Sequence, residues 1–269
     1  MKTVIVSLGL SLAAAGPAVA NPVPDPHAVV EILPGWRLAD GTHMAALRIA
    51  LDPGWKTYWR APGEAGIPPD FDWTGSDNVK AVRYVWPVPE VVTSNGMTTL
   101  GYHEELILPM EILPVDPDAD VALTGALNMG VCDDICMPLT AEVAASLPAD
   151  TTGEDARIAA ALSARPDTEA EAGVAAVKCR IEEISDGLRV TVEIDMPSVG
   201  ADEYLVVEPA DRTIWVSEAM TARAEGRLSA EADLVPPSAK PFDLDTETLR
   251  LTVLAAGRGV DIEGCETAD

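Results

Sequence analysis

Twenty-two prolines and 20 glycines spread over 269 residues constrain this chain more than any other feature. Proline lacks a backbone donor and clashes with the preceding helical turn, so long helices are excluded, whereas strand ends and edges accept it. Between the prolines lie short apolar or alternating runs: Val29–Leu33, Met44–Leu51, Val79–Trp86, Leu106–Leu113, Val121–Met129 and Pro138–Ala145. Runs of this length, punctuated by Gly, Pro and Asp, predict an antiparallel sandwich rather than alternating β and α units. From Asp150 to Glu171 the texture changes, and "EDARIAAALSARP" predicts one short helix that stops before Pro166. Strand-type runs then resume at Val174–Ile184, Leu188–Ile194, Tyr204–Val207, Thr213–Val216, Arg227–Leu234 and Leu249–Ala255. Ser185-Asp186-Gly187 between the first two is a hairpin signal. The expected fold is all-β: two antiparallel β-sandwich domains, 22–148 and 173–269, joined by a short helical linker, 149–172.

The N-terminus, "MKTVIVSLGLSLAAAGPAVA", has one lysine, a short apolar run from Val4 to Ala15, and Ala18-Val19-Ala20 as a small-residue cleavage site. It predicts a secretory signal peptide over 1–20. No later stretch approaches the ~18 uninterrupted apolar residues that a spanning helix needs, so no membrane insertion is expected. The mature chain is expected to be soluble in the periplasm, an oxidising compartment where disulfides persist. A formal charge of −26 repels nucleic acid and anionic lipid, so neither is an expected partner.

That compartment gives the four cysteines their meaning. Cys179 and Cys265 are far apart in sequence, and a bridge between them removes roughly 4–5 kcal/mol of chain entropy from the unfolded state. Nothing like a redox motif flanks either one, and the pair reads as a structural disulfide. Cys132 and Cys136 lie within "NMGVCDDICMPLT". Their bridge closes a short loop, for which the same relation gives only about 2 kcal/mol before strain. A poor staple of this kind suits a dithiol that opens and closes. Asp133 and Asp134 between the cysteines raise thiol pKa by like-charge repulsion, so exchange is expected to need a docking partner. A structural role stays open, in a non-redox β-sandwich interaction module, and so does a third reading, a periplasmic Cu(I)-binding or copper-tolerance protein. Met129 and Met137 flank the pair, and thiolate with thioether is a Cu(I) donor set, giving Cys132, Cys136, Met129 and Met137 as candidate ligands. His27, His43 and His103 lack ligand spacing, and no nucleophile elbow, phosphate loop or dinucleotide fingerprint is present. No cofactor is expected.

The segment "DPGWKTYWRAPGEAGIPPDFDW" concentrates Trp55, Tyr58, Trp59 and Trp73 among turn formers, as a core plug or a recognition face. In order, "GWKTYWRAPGEAGIPP", "GYHEELILPMEI" and "VCDDICMPL" resemble the N-terminal periplasmic domain of the thiol:disulfide interchange protein DsbD family, in its ScsB-like branch. The resemblance implies an immunoglobulin-like β-sandwich that takes electrons from a membrane protein and passes them to periplasmic thioredoxin-like or other thiol proteins. It implies Cys136 as the attacking thiol and Cys132 as the resolving one, with Tyr58 and Trp59 beside the pair. It places Ser94-Asn95-Gly96-Met97 near the family's cap, where this sequence offers Met97 in place of an aromatic residue. The sequence ends at Asp269 with neither a membrane domain nor a C-terminal thioredoxin-like domain. The chain is therefore expected to be either a stand-alone soluble version that takes electrons from a separate membrane protein of the DsbD/CcdA type, or a relative that has changed roles.

Overall fold

The computed structural model describes residues 27–268 apart from residue 95. The expected signal peptide and residues 22–26 lie outside the described residues. Ten strands make the first body: β1 (Ala28–Arg37), β2 (His43–Leu51), β3 (Lys56–Gly63), β4 (Asp70–Asp72), β5 (Val79–Tyr84), β6 (Glu90–Ser94), β7 (Met97–His103), β8 (Glu105–Pro114), β9 (Val121–Cys132) and β10 (Cys136–Leu147). One sheet runs β1-β2-β8-β5; the other runs β10-β9-β3-β7-β6, with β4 on β9. Leu47, Trp59, Leu108, Ile112, Leu123 and Leu127 meet between the sheets and are essentially inaccessible to solvent. Helix α1 (Ala156–Ser163), capped by the Asp155 side chain, lays Ile158 against Leu33, Trp36, Met44 and Ala46 on the outer side of the first sheet.

After α1 come β11 (Asp167–Thr168), the short helix α2 (Glu169–Ala172), then β12 (Ala176–Ile184), β13 (Gly187–Asp195), β14 (Tyr204–Glu208), β15 (Trp215–Val216), β16 (Met220–Ala224), β17 (Arg227–Val235), β18 (Arg250–Ala255), β19 (Arg258–Glu263) and β20 (Glu266–Thr267). These form the sheets β11-β19-β18-β14 and β15-β17-β13-β12-β20, with β16 on β17. The fold is all-β and immunoglobulin-like, with antiparallel sheets throughout except at two short edges. There β11 pairs with β19, and β20 with β12, in parallel over two residues each. Strands β3, β4, β6, β7, β11, β16, β19 and β20 escaped the sequence reading. In β3, Pro62 and Gly63 sit at the end of the strand and mask its alternation.

Cys179 of β12 is bonded to Cys265, which follows β19, and both are buried in the second core. The bond ties the end of the chain to the first long strand of its sheet.

The two bodies are joined through Arg60. Its guanidinium donates to both carboxylate oxygens of Glu208 at 2.9 and 3.0 Å and to Thr252 Oγ1 at 3.1 Å, and it lies 4.0 Å over the Trp59 ring. Leu254 of β18 joins the first core, with Tyr204 and Val206 packed against it. Beside this contact a cleft of 790 Å³ opens between Pro62, Gly66 and Pro68 on one side and Tyr204, Arg212 and Trp215 on the other.

Cys179→Ser should lower the thermal midpoint of the second body by 10 °C or more, roughly what loss of a long-loop disulfide predicts. Cys132→Ser should move the first by a few degrees at most, and scanning calorimetry of the two variants checks both. Arg60→Ala strips Glu208 of its buried cation and should cost about 3 kcal/mol in urea unfolding. Arg60→Lys should recover only part, since a lysine cannot span both carboxylate oxygens.

Candidate functional site

The last rung of the β9–β10 ladder sets Cys132 directly opposite Cys136. They are bonded to each other across a three-residue turn, Asp133-Asp134-Ile135, with Cα atoms 4.1 Å apart. The two sulfurs have unequal surroundings. Cys132 is wholly buried, whereas Cys136 is exposed, as is Ile135 at 73%. An incoming thiolate therefore meets Cys136 first, on a small apolar tip flanked by two carboxylates.

Strand β3 supplies the inner wall. Its register against β9 pairs Lys56 with Cys132 and Thr57 with Val131. Side chains alternate between faces along a strand, so Lys56 and Tyr58 share the face of the cysteines while Thr57 and Trp59 turn to the core. The Tyr58 hydroxyl lies 2.8 Å from Cys132 Sγ, to which it donates, and 3.1 Å from Cys136 Sγ. Burial pushes the Tyr58 phenol above its ordinary pKa, which keeps it protonated and able to donate. The Gly-Pro loop after β3 folds back over this ring. A β-carbon at Gly130 would stand 2.8 Å from Ile67 Cβ and 3.0 Å from Tyr58 Cε2, and one at Gly66 would stand 2.9 Å from Tyr58 Cδ1. Two glycines thus give the tyrosine its slot. Ile67, Gly66 and Gly130 belong to the site although the sequence reading missed them; their signal was the Gly-Pro punctuation, read only as turns.

Not every candidate comes to the pair. Trp59 is fully buried in the core, on the other face of β3, and does not shield the sulfurs. Met97 is half-exposed at the tip of the β6–β7 hairpin. The end of β7 near the cysteines is His103, opposite Lys56, and Met97 lies six residues away along the strand. At about 3.3 Å per residue that separation is roughly 20 Å. The hairpin register, with its turn at the far end, leaves Met97 beside the second body, where Thr98 bonds Glu218 at 2.8 Å. Of the expected cap loop, Asn95 and the Ser94 side chain lie outside the described residues. The Cu(I) donor set is divided as well. Met129 is buried in the core, where its sulfur lies 3.8 Å from Thr57 Oγ1, and Met137 packs against that core, opposite Val131. Both thioethers are thus on the reverse face of the sheet from the cysteines. His103 Nδ1 lies 2.8 Å from the Glu90 carboxylate.

Residues 26–148 match the family described as "Thiol:disulfide interchange protein DsbD, N-terminal". Among solved structures, the N-terminal periplasmic domain of ScsB from Proteus mirabilis aligns over 91% of this chain and 95% of its own, with a TM-score of 0.69 and 23% identity. That likeness extends the shared fold across both bodies. A second solved chain, described as BspA_C_WT, covers 89% of this chain and 99% of its own at 9% identity and a TM-score of 0.18, too low to carry an argument. No curated protein matches the chain. Among the described residues no helix is long and apolar enough to cross a membrane. Residues 26–148, with their bonded cysteine pair at the end of a β-sandwich, are thus a DsbD-type N-terminal domain.

Proposed function

We propose that the protein is a periplasmic dithiol/disulfide carrier. Cys132 and Cys136 are its redox pair, reduced by a membrane electron-transfer protein of the DsbD/CcdA type and oxidised by thioredoxin-like periplasmic proteins. The observation that carries this reading is the asymmetry of the pair: one sulfur open to a partner, the other sealed and held by the Tyr58 hydroxyl. In the reduced protein the exposed Cys136 thiolate attacks a partner disulfide. A mixed disulfide forms and one partner sulfur leaves as thiolate. Cys132 then attacks Cys136 Sγ, re-forms the internal bond and releases the second partner sulfur with its electron pair. Ile135 is the apolar contact that a docking partner covers, and the carboxylates of Asp133 and Asp134 discourage casual thiols. Cys179–Cys265 takes no part and stays closed.

Cys132→Ser should accumulate a mixed disulfide between Cys136 and a thioredoxin-like partner on non-reducing gels, and Cys136→Ser should not. If neither variant traps a partner, and the Cys132–Cys136 bond stays closed across the range of glutathione potentials, the carrier reading fails. Tyr58→Phe removes a donor that favours thiolate over disulfide sulfur. Reduced protein should then be the less stable form, so the midpoint potential should fall by about 20–30 mV, equivalent to roughly 1 kcal/mol. The thiol pKa should rise in the same variant, measured by absorbance of the thiolate at 240 nm.

A further inference from the structure

Cys132 poses a difficulty for any exchange reaction. It must become a thiolate to resolve the mixed disulfide, yet it is fully buried, and burial disfavours the charged form. The register of β3 against β9 puts Lys56 directly opposite it. Residues so opposed have β-carbons about 5 Å apart on the same face, within the reach of a lysine side chain. In a chain with 44 acidic residues, Lys56 makes no ion pair with a carboxylate among the described residues, whereas most of the arginines that line the sheets do. Other charged groups surround this spot, among them Glu104, which follows His103 and whose backbone N–H donates to the Trp55 carbonyl at 3.1 Å. Asp133 and Asp134 occupy the β9–β10 turn, and Tyr58 is neutral and donates to the sulfur. On β7, His103 stands on the far side of Lys56 and is bonded to Glu90; ahead of β3, Asp52 is bonded to His27.

We propose that Lys56 is the electrostatic partner of the resolving thiol: its ammonium stabilises the Cys132 thiolate and so speeds the second step of exchange while leaving the first nearly untouched. The first step belongs to Cys136, one strand farther from Lys56 and open to water. In the second step the Cys132 thiolate, its proton released to solvent, forms the bond to Cys136 Sγ. The bond from Cys136 to the partner breaks, and the partner sulfur leaves with the electron pair. The inference rests on the carrier reading for its biological purpose, but not for its chemistry.

Ellman's disulfide reagent, 5,5′-dithiobis(2-nitrobenzoate), separates the two steps without any protein partner. Added to protein reduced at Cys132 and Cys136, it releases one nitrothiobenzoate on attack by Cys136 and a second on attack by Cys132, and Cys132→Ser identifies the second phase by abolishing it. At pH 7, K56Q should slow the second phase about three- to tenfold, the effect of raising a thiol pKa by half a unit to one unit, with the first phase within about twofold of wild type. K56R should restore the rate, and the K56Q deficit should close by pH 10, where the thiol is ionised without help. An unchanged second phase, equal slowing of both phases, or a deficit that persists at pH 10 would each overturn the proposal, the last two because they mark displaced sulfurs rather than a lost charge. A carrier reading that fails shows itself differently: no thioredoxin-like protein is trapped, while the two phases still split.

Discussion

The register of β3 against β9 is the constraint on which the site depends. Lys56 opposite Cys132 and Thr57 opposite Val131 fix which face each aromatic residue takes. A slip by one residue would send the fully buried Trp59 into solvent and Tyr58 into the core. Two close approaches resist that slip. Thr57 donates its hydroxyl to the Gly130 carbonyl at 2.9 Å, and Gly101 lies so near the Thr57 backbone that a β-carbon there would stand 2.2 Å from its carbonyl oxygen. The geometry at the sulfurs thus follows from packing on the opposite side of the sheet. The hydroxyl of Tyr58 reaches them because its neighbours in the strand have nowhere else to go.

The fold holds two disulfides in contrasting settings, and the difference lies in what each loop encloses. Cys179–Cys265 spans 86 positions and lies within a core of Val190, Ile194, Leu251 and Val253. It restricts the unfolded chain heavily, and it is shielded from attack. Cys132–Cys136 spans four positions at the end of a ladder that already holds its two strands in register. Opening it costs the fold little, because eleven further pairs, from Met137↔Val131 to Leu147↔Val121, keep β9 and β10 together. The fold itself hardly needs this bond.

Much of this was legible in the sequence. The all-β class followed from proline punctuation, and the resemblance named the family from three ordered motifs. What stayed hidden depended on pairing. Trp59 and Met97 were placed beside the sulfurs because they lie in the right motifs, but strand alternation takes one to the other face and hairpin register takes the other to the far end of β7. Met129 and Met137 suggested copper by proximity along the chain, although neighbours in a strand point apart. Lys56 was invisible for the converse reason: 76 positions from Cys132, it becomes its neighbour only when β3 and β9 pair.

The contact through Arg60 has a consequence for how such a molecule can be taken apart. The family match ends at residue 148, yet cohesion does not end there. Leu254, Tyr204 and Val206 close the first core, and Glu208 neutralises a guanidinium stacked on Trp59, the residue next to Tyr58. An excised 26–148 segment would carry a bare apolar face and an orphaned cation two residues along β3 from Tyr58. In recombination, natural or engineered, the heritable module is therefore longer than the recognisable one, and any new host must furnish both an apolar lid and an anion.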